Sequence, residues 1–212
     1  MRVIAGELRG RRLSAPALDS VRPTGDRVRE AMFDMVFSLG GVGSRRVLDL
    51  FAGSGALGIE ALSRGAASVT FVDRSAEALA TVRANLSAVG LDGAEGAGVA
   101  GVATVMRAAA ESWVAVTASR FDIAFCDPPY DFDGWAGLLE RLPADLAVLE
   151  SARPIDVPEG WGVVRSRRYG GTLVTVIRAE PASTGAGVRN AGTPGAVAAA
   201  GDESTTGTGV RP

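Results

Sequence analysis

Residues 47–58 of this chain read VLDLFAGSGALG, an apolar strand that runs straight into three glycines at G-x-G-x-x-G spacing and then into a helix. Asp73 stands 20 residues beyond Gly53, at the end of the next apolar run, SVTFVD. Few patterns restrict a fold as strongly. The glycines permit a tight turn and close backbone approach to a ligand, the helix N-terminus faces that ligand, and the acid reaches ribose hydroxyls. An adenosine-type ligand is therefore the expected occupant, against the alternative of a purely structural glycine turn. Expected cofactor contacts are Asp49, Phe51, Ala52, Gly53, Ser54 and Gly55 from the first turn, then Asp73 and Arg74 from the second, with Ala109 after the third strand. Asp49 narrows the ligand. A carboxylate just before the glycines would repel the pyrophosphate of a dinucleotide by a few kcal/mol at short range. It would attract the sulfonium and ammonium of S-adenosylmethionine.

The rest of the chain repeats the strand–helix alternation. Helices are expected near 24–38 (capped by Thr24), 55–64, 76–88, 109–116 and 133–142, and strands near 46–51, 68–72, 103–107, 121–126 and 145–150. Two last strands, 161–168 and 172–178, meet at Gly170-Gly171, a hairpin signal. Two short runs, 2–5 and 11–14, flank a Gly-containing turn and read as an N-terminal β-hairpin. Repeated βα units imply an α/β fold whose mostly parallel sheet is covered on both faces, with an antiparallel edge hairpin. Residues 1–40 read as hairpin and helix, 41–179 as the core, and 180–212, rich in Gly, Ala, Thr and Ser without hydrophobic period, as a disordered tail. The Gly-rich stretch 90–101 reads as a long loop.

The strand FDIAFC delivers Asp127-Pro128-Pro129-Tyr130 at its carboxyl end, where open α/β sheets bind ligands. An exocyclic amine on an aromatic base is a poor nucleophile because its lone pair is delocalised into the ring. The Asp127 carboxylate and the Pro128 carbonyl form an acceptor pair that can hold both N–H bonds and favour pyramidalisation. The prolines stiffen the backbone around that carbonyl, and Tyr130 offers a face on which a flipped-out base stacks. As a turn alone, DPPY would be unremarkable; its place after a cofactor loop gives it meaning.

Composition removes other classes. The chain has no histidine, so imidazole catalysis is excluded, and its single cysteine, Cys126, precludes an internal disulfide or a multi-cysteine zinc site. No metal is expected. No run approaches the roughly 18–20 apolar residues of a membrane span, and the opening MRVIAGELRGRRL lacks a signal-peptide core, so a cytoplasmic address is expected; separately, a monomer is expected. Net charge is −2, yet residues 1–30 carry seven arginines against four acids, a local +3. Arg9, Arg11, Arg12 and Arg22 are thus the expected contacts to nucleic-acid phosphate. Arg165, Arg167 and Arg168 present either a second basic contact or a solvated strand face.

Four stretches carry a family resemblance: RVIAGELRGRRLSAP at the start, RPTGDRVREAMFDMV at 22–36, LDLFAGSGALGIEALSRGA at 48–66 and FDIAFCDPPY at 121–130. In these the chain resembles the bacterial 16S rRNA guanine-N2 methyltransferases that modify guanine 966, the RsmD family. The resemblance covers nearly all of the folded body. It implies a Rossmann-like class I S-adenosylmethionine-dependent methyltransferase with a seven-stranded sheet in the order 3-2-1-4-5-7-6. The implied partner is 16S rRNA in the small subunit or an assembly intermediate. It also implies that Thr24 and Arg27 approach the methionine end of the cofactor. One departure stands out: Ala108-Ala109-Ala110 lacks the polar side chain that family members commonly place near the adenine, so a weaker hold there is expected. A DNA adenine amino-methyltransferase, a nicotinamide oxidoreductase and a catalytically idle RNA-binding assembly factor are the competing readings.

Overall fold

The computed structural model describes residues 1–15, 25–91 and 102–181. Thr24 and Arg22 lie outside these residues, as do the loop read at 90–101 and the tail from Glu180, all but the first two residues of each. The chain runs α1 (Asp26–Phe37), β1 (Arg46–Leu50), α2 (Ala56–Ser63), β2 (Ser68–Asp73), α3 (Ala76–Ala88), β3 (Val102–Arg107), α4 (Ala110–Val116), β4 (Phe121–Cys126), α5 (Trp135–Leu139), β5 (Ala144–Ser151), β6 (Trp161–Tyr169) and β7 (Thr172–Ala179).

Side-chain alternation along each strand splits the core between the two faces of the sheet. Val47, Phe71, Phe125 and Val148 pack with α1, α2 and α3 on one face. Leu48, Leu50, Val72, Ala124, Cys126 and Leu149 pack with α4 and α5 on the other. The seven strands lie in the order β3-β2-β1-β4-β5-β7-β6, as expected. β1 to β5 are mutually parallel, and β7 runs antiparallel between β5 and β6. The strand order therefore reverses beside β1, and the carboxyl ends of β1 and β4 open a crevice there. On the far edge, β6 is exposed along most of its length and carries Arg165, Arg167 and Arg168, charges that discourage edge-to-edge pairing.

The two N-terminal runs pair antiparallel: Arg2 bridges Arg12, the Val3 N–H donates to the Arg11 carbonyl (2.9 Å) and the Leu13 N–H to the Met1 carbonyl (3.1 Å). Further backbone groups of the segment bond α2: Ile4 and Ala5 donate to Glu60 Oε2 and Oε1 (2.7 and 2.9 Å), and Leu8 donates to Ser63 Oγ (3.0 Å). Gly6 (φ +79°) lets this segment lie against α2, because a Cβ there would fall 1.8 Å from the Ser63 carbonyl oxygen. The cap position of α1 expected for Thr24 falls instead to Gly25, with no side-chain cap. The expected helix 133–142 is only the short α5.

Candidate active site

The turns that follow β1, β2 and β4, together with the end of β5, surround a cleft of about 860 Å³, within the range of small-molecule sites. Its wall includes Phe51, Gly53, Asp73, Arg74, Ala109 and the whole Asp127–Tyr130 turn. The structure thus brings together the two motifs that the sequence holds more than 50 residues apart.

Phe51 takes a left-handed backbone (φ +66°), uncommon for a residue with a side chain and a feature of tightly determined sites. Its ring meets Phe132 edge-on (centroids 5.2 Å apart), and Phe132 meets Trp135 in the same way (5.3 Å). Asp73 ties the two cofactor turns together: Oδ2 accepts from the Gly53 N–H (2.9 Å) and Oδ1 from the Ser75 N–H (2.8 Å). Ser54 and Gly55 sit behind the loop. The Ser54 carbonyl accepts from Asn85 Nδ2 (2.9 Å), which also bonds the Ser14 carbonyl. Ala52 donates to the Val72 carbonyl (3.0 Å). These three shape the turn and do not line the cleft. The last glycine of the motif, Gly58, leaves room for the Phe71 ring, which a Cβ would meet at 2.2 Å.

Asp49 also lies away from the cleft wall. The pleat turns it toward α2, between Phe71 and Phe125 on the neighbouring strands, and its Oδ2 accepts from the Gly58 N–H (2.8 Å) in the first turn of the helix. It is 1% exposed. Burial raises its pKa from 3.8 to about 8, opposed by the Gly58 bond and assisted by the charges of Asp127 and Asp73. Its geometry shows a carboxyl group that bonds the first turn of α2. The sign of its pH effect follows: from about pH 4 to 8 the folded chain holds a proton that the unfolded chain has released, so stability falls as pH rises through that window. Asp49→Asn removes this titration. In melts without cofactor, wild type is expected to lose more Tm than the variant between pH 5 and 8.5, and equal losses would contradict a buried, protonated Asp49.

At the third strand, Ala108 donates to the Asp73 carbonyl (3.1 Å) and Ala109 lines the cleft. Glu111, which follows the alanine run, adds a polar side chain to the same wall. In the DPPY turn Pro128 is buried, while Tyr130 is 48% exposed with its hydroxyl 3.0 Å from Thr172 Oγ1. A second cavity of about 330 Å³ adjoins the first and shares Pro128, Pro129, Tyr130, Phe132, Asp133 and Glu150 with it. Burial pushes the Cys126 thiol up, which leaves it un-ionised in the core. Arg9, Arg11 and Arg12 are exposed. Arg27 is exposed too and does not line the cleft. Arg29 is structural: it is 1% exposed, bonds the Arg2 carbonyl and pairs with Asp26 at 2.9 Å.

Sequence reasoning missed Glu111, Phe132, Trp135 and Glu150 at the site. Phe132 and Trp135 follow DPPY closely enough to have been suspected; Glu111 and Glu150 carry no motif.

A family model described as Conserved hypothetical protein 95 matches residues 1–178. Ribosomal RNA small subunit methyltransferase D of Escherichia coli (strain K12) is 38% identical over 184 residues, covering 80% of this chain and 85% of that protein. The chain belongs to the RsmD family. YlbH of Bacillus subtilis (strain 168) is 40% identical over 193 residues, 84% of this chain and 98% of that one. The solved structure of yhhF from Escherichia coli matches with a TM-score of 0.71 at 32% identity, over 85% of this chain and 98% of that one. This RsmD-family chain is thus a methyltransferase with the class I fold. Among the described residues, no helix is long and apolar enough to cross a membrane, and no group of three or more His, Cys, Asp or Glu side chains could hold a metal ion.

Proposed function

We propose that the chain transfers a methyl group from S-adenosylmethionine to the exocyclic N2 of guanine 966 in 16S rRNA, on the small subunit or an assembly intermediate in the cytoplasm. The observation that carries this reading is Asp127-Pro128-Pro129-Tyr130 in the wall of the same cleft as Gly53 and Asp73. The name of the Escherichia coli relative, which specifies small-subunit ribosomal RNA, supports the substrate.

The cleft residues fit the cofactor. Val72, Ala109 and Ala110 give an apolar wall for an adenine ring, and Asp73 suits a ribose diol. Asp73, Asp127 and Glu150 together make the cleft unfavourable for a pyrophosphate. When bound, S-adenosylmethionine supplies an electrophilic methyl group. The residues of the chain have positioning tasks. Asp127 and the Pro128 carbonyl accept the amine N–H bonds and keep its lone pair aimed at the cleft, and the partly exposed Tyr130 ring offers a stacking face. Residues 1–40 serve as the docking part and 41–179 as the catalytic core. Tritiated methyl transfer onto small subunits lacking the modification, followed by nucleoside analysis, is expected to yield N2-methylguanosine. Label on adenosine alone, or none, would overturn the reading.

The exposed arginines of the opening segment then act in docking. Arg11→Ala with Arg12→Ala is expected to weaken subunit binding and to flatten the plot of log affinity against log salt by about 0.7–0.9 for each phosphate no longer neutralised, with cofactor affinity unchanged. A wild-type slope would move the RNA surface elsewhere, first to Arg165, Arg167 and Arg168.

A further inference from the structure

Glu150 has no role in the motifs above, yet it occupies a telling place. It is 3% exposed and lines both the main cleft and the adjoining cavity. The parallel register of β4 and β5 pairs Cys126 with Leu149, two strands that run about 4.8 Å apart, and Asp127, just past the end of β4, and Glu150 of β5 are the next residues outward and line the same cleft. The Tyr130 hydroxyl lies 3.5 Å from Glu150 Oε1. A second carboxylate thus stands beside the turn that holds the amine.

We infer that Glu150 is the specificity-determining residue that makes this a guanine site, accepting the N1–H of the base whose N2 amine rests on Asp127 and Pro128. The inference deepens, and rests on, the guanine-N2 reading of the site. A carboxylate only accepts hydrogen bonds. On the pairing edge of guanine, the amine at C2 stands next to a ring N1 that carries a hydrogen, two donors side by side. In adenine and cytosine the amine stands next to a bare ring nitrogen, an acceptor. A flipped base is read on this edge. Two neighbouring carboxylates match donor–donor and repel donor–acceptor, so the pair Asp127 and Glu150 selects guanine without enclosing its whole outline.

The test uses the full-length protein and small-subunit particles reconstituted from rRNA that carries either guanine or 2-aminopurine at the methylated position. 2-Aminopurine keeps the C2 amine but has a bare N1. Wild type is expected to prefer guanine by about 10- to 100-fold in kcat/KM, the scale of one hydrogen bond to a charged group. With S-adenosylhomocysteine present it is also expected to bind the guanine particle more tightly. In Glu150→Gln the amide can turn its NH2 toward a bare N1, so the two particles become nearly equal in both measurements. Comparing the ratio between variants cancels the intrinsic reactivity of each base. If Glu150 only held the Tyr130 hydroxyl, Glu150→Gln would slow both substrates in proportion and leave the ratio alone, and that result overturns the inference. Tyr130→Phe provides a second arm that is independent of how Glu150→Gln folds: it is expected to keep the guanine preference, and losing it would assign the selectivity to the tyrosine. A wild type without preference also overturns the inference. A wild type that places its methyl group on a base other than guanine overturns the reading beneath it, a failure recognisable in the guanine arm alone.

Discussion

Asp127→Ala loses methyl transfer by on the order of 10³-fold, the scale of removing a preorganised hydrogen-bonding group from a reacting centre, while S-adenosylhomocysteine binds it nearly as well as it binds wild type. The split is expected because the proposed function has Asp127 hold the amine and Gly53, Asp73 and Ala109 hold the cofactor, all four of them lining the cleft. Single-turnover kinetics and calorimetry read the two quantities separately. Asp127→Asn retains measurable turnover, because an amide oxygen still accepts the amine N–H bond and orients it. Should Asn prove as inactive as Ala, the carboxylate acts as a proton acceptor and not only as a positioning group.

Glu60→Ala has the largest expected effect on stability. The carboxylate is fully buried (0% exposed) and accepts from the Ile4 and Ala5 N–H groups and from Arg64 Nε at 2.7 Å. Arg64 in turn lies over the Phe33 ring of α1, 4.6 Å from its centroid. Removing the carboxylate strands two backbone donors and a mostly buried guanidinium, at a cost of about 3–5 kcal/mol. Against a total stability of roughly 5–15 kcal/mol, thermal melts should show a loss of around 10 °C or more, at about 2–4 °C per kcal/mol for a domain of this size. Glu60→Gln, which keeps an acceptor, should lose less. Equal losses would mean that the acceptor is not what holds residues 3–8 on α2.

The turns that line the cleft were legible in the chain. The G-x-G-x-x-G turn, Asp73 at the next strand end and the DPPY turn depend on backbone geometry within a few residues, which spacing reports directly. The strand order was also anticipated, though through family resemblance and not through periodicity. The pairing of the two N-terminal runs was legible in their alternation, but the bonds that hold them on α2 go to Glu60 and Ser63, some 55 residues away, which no local pattern encodes.

Asp49 shows the same division within one residue. Its position before the glycines is written in the chain, and a charge at that point looks like a cofactor contact. The pleat of β1 sends it to the α2 face, where Phe71 and Phe125 flank it and the Gly58 N–H takes its oxygen. Glu150 is the converse case, a carboxylate without a motif that parallel register sets beside Asp127. The sequence by itself determined which strand ends carry the glycine and DPPY turns, because turns and strand termini are short-range objects. Only the tertiary structure decided which side chains share the cleft, because that depends on pleat parity and on strand register between segments distant in the chain.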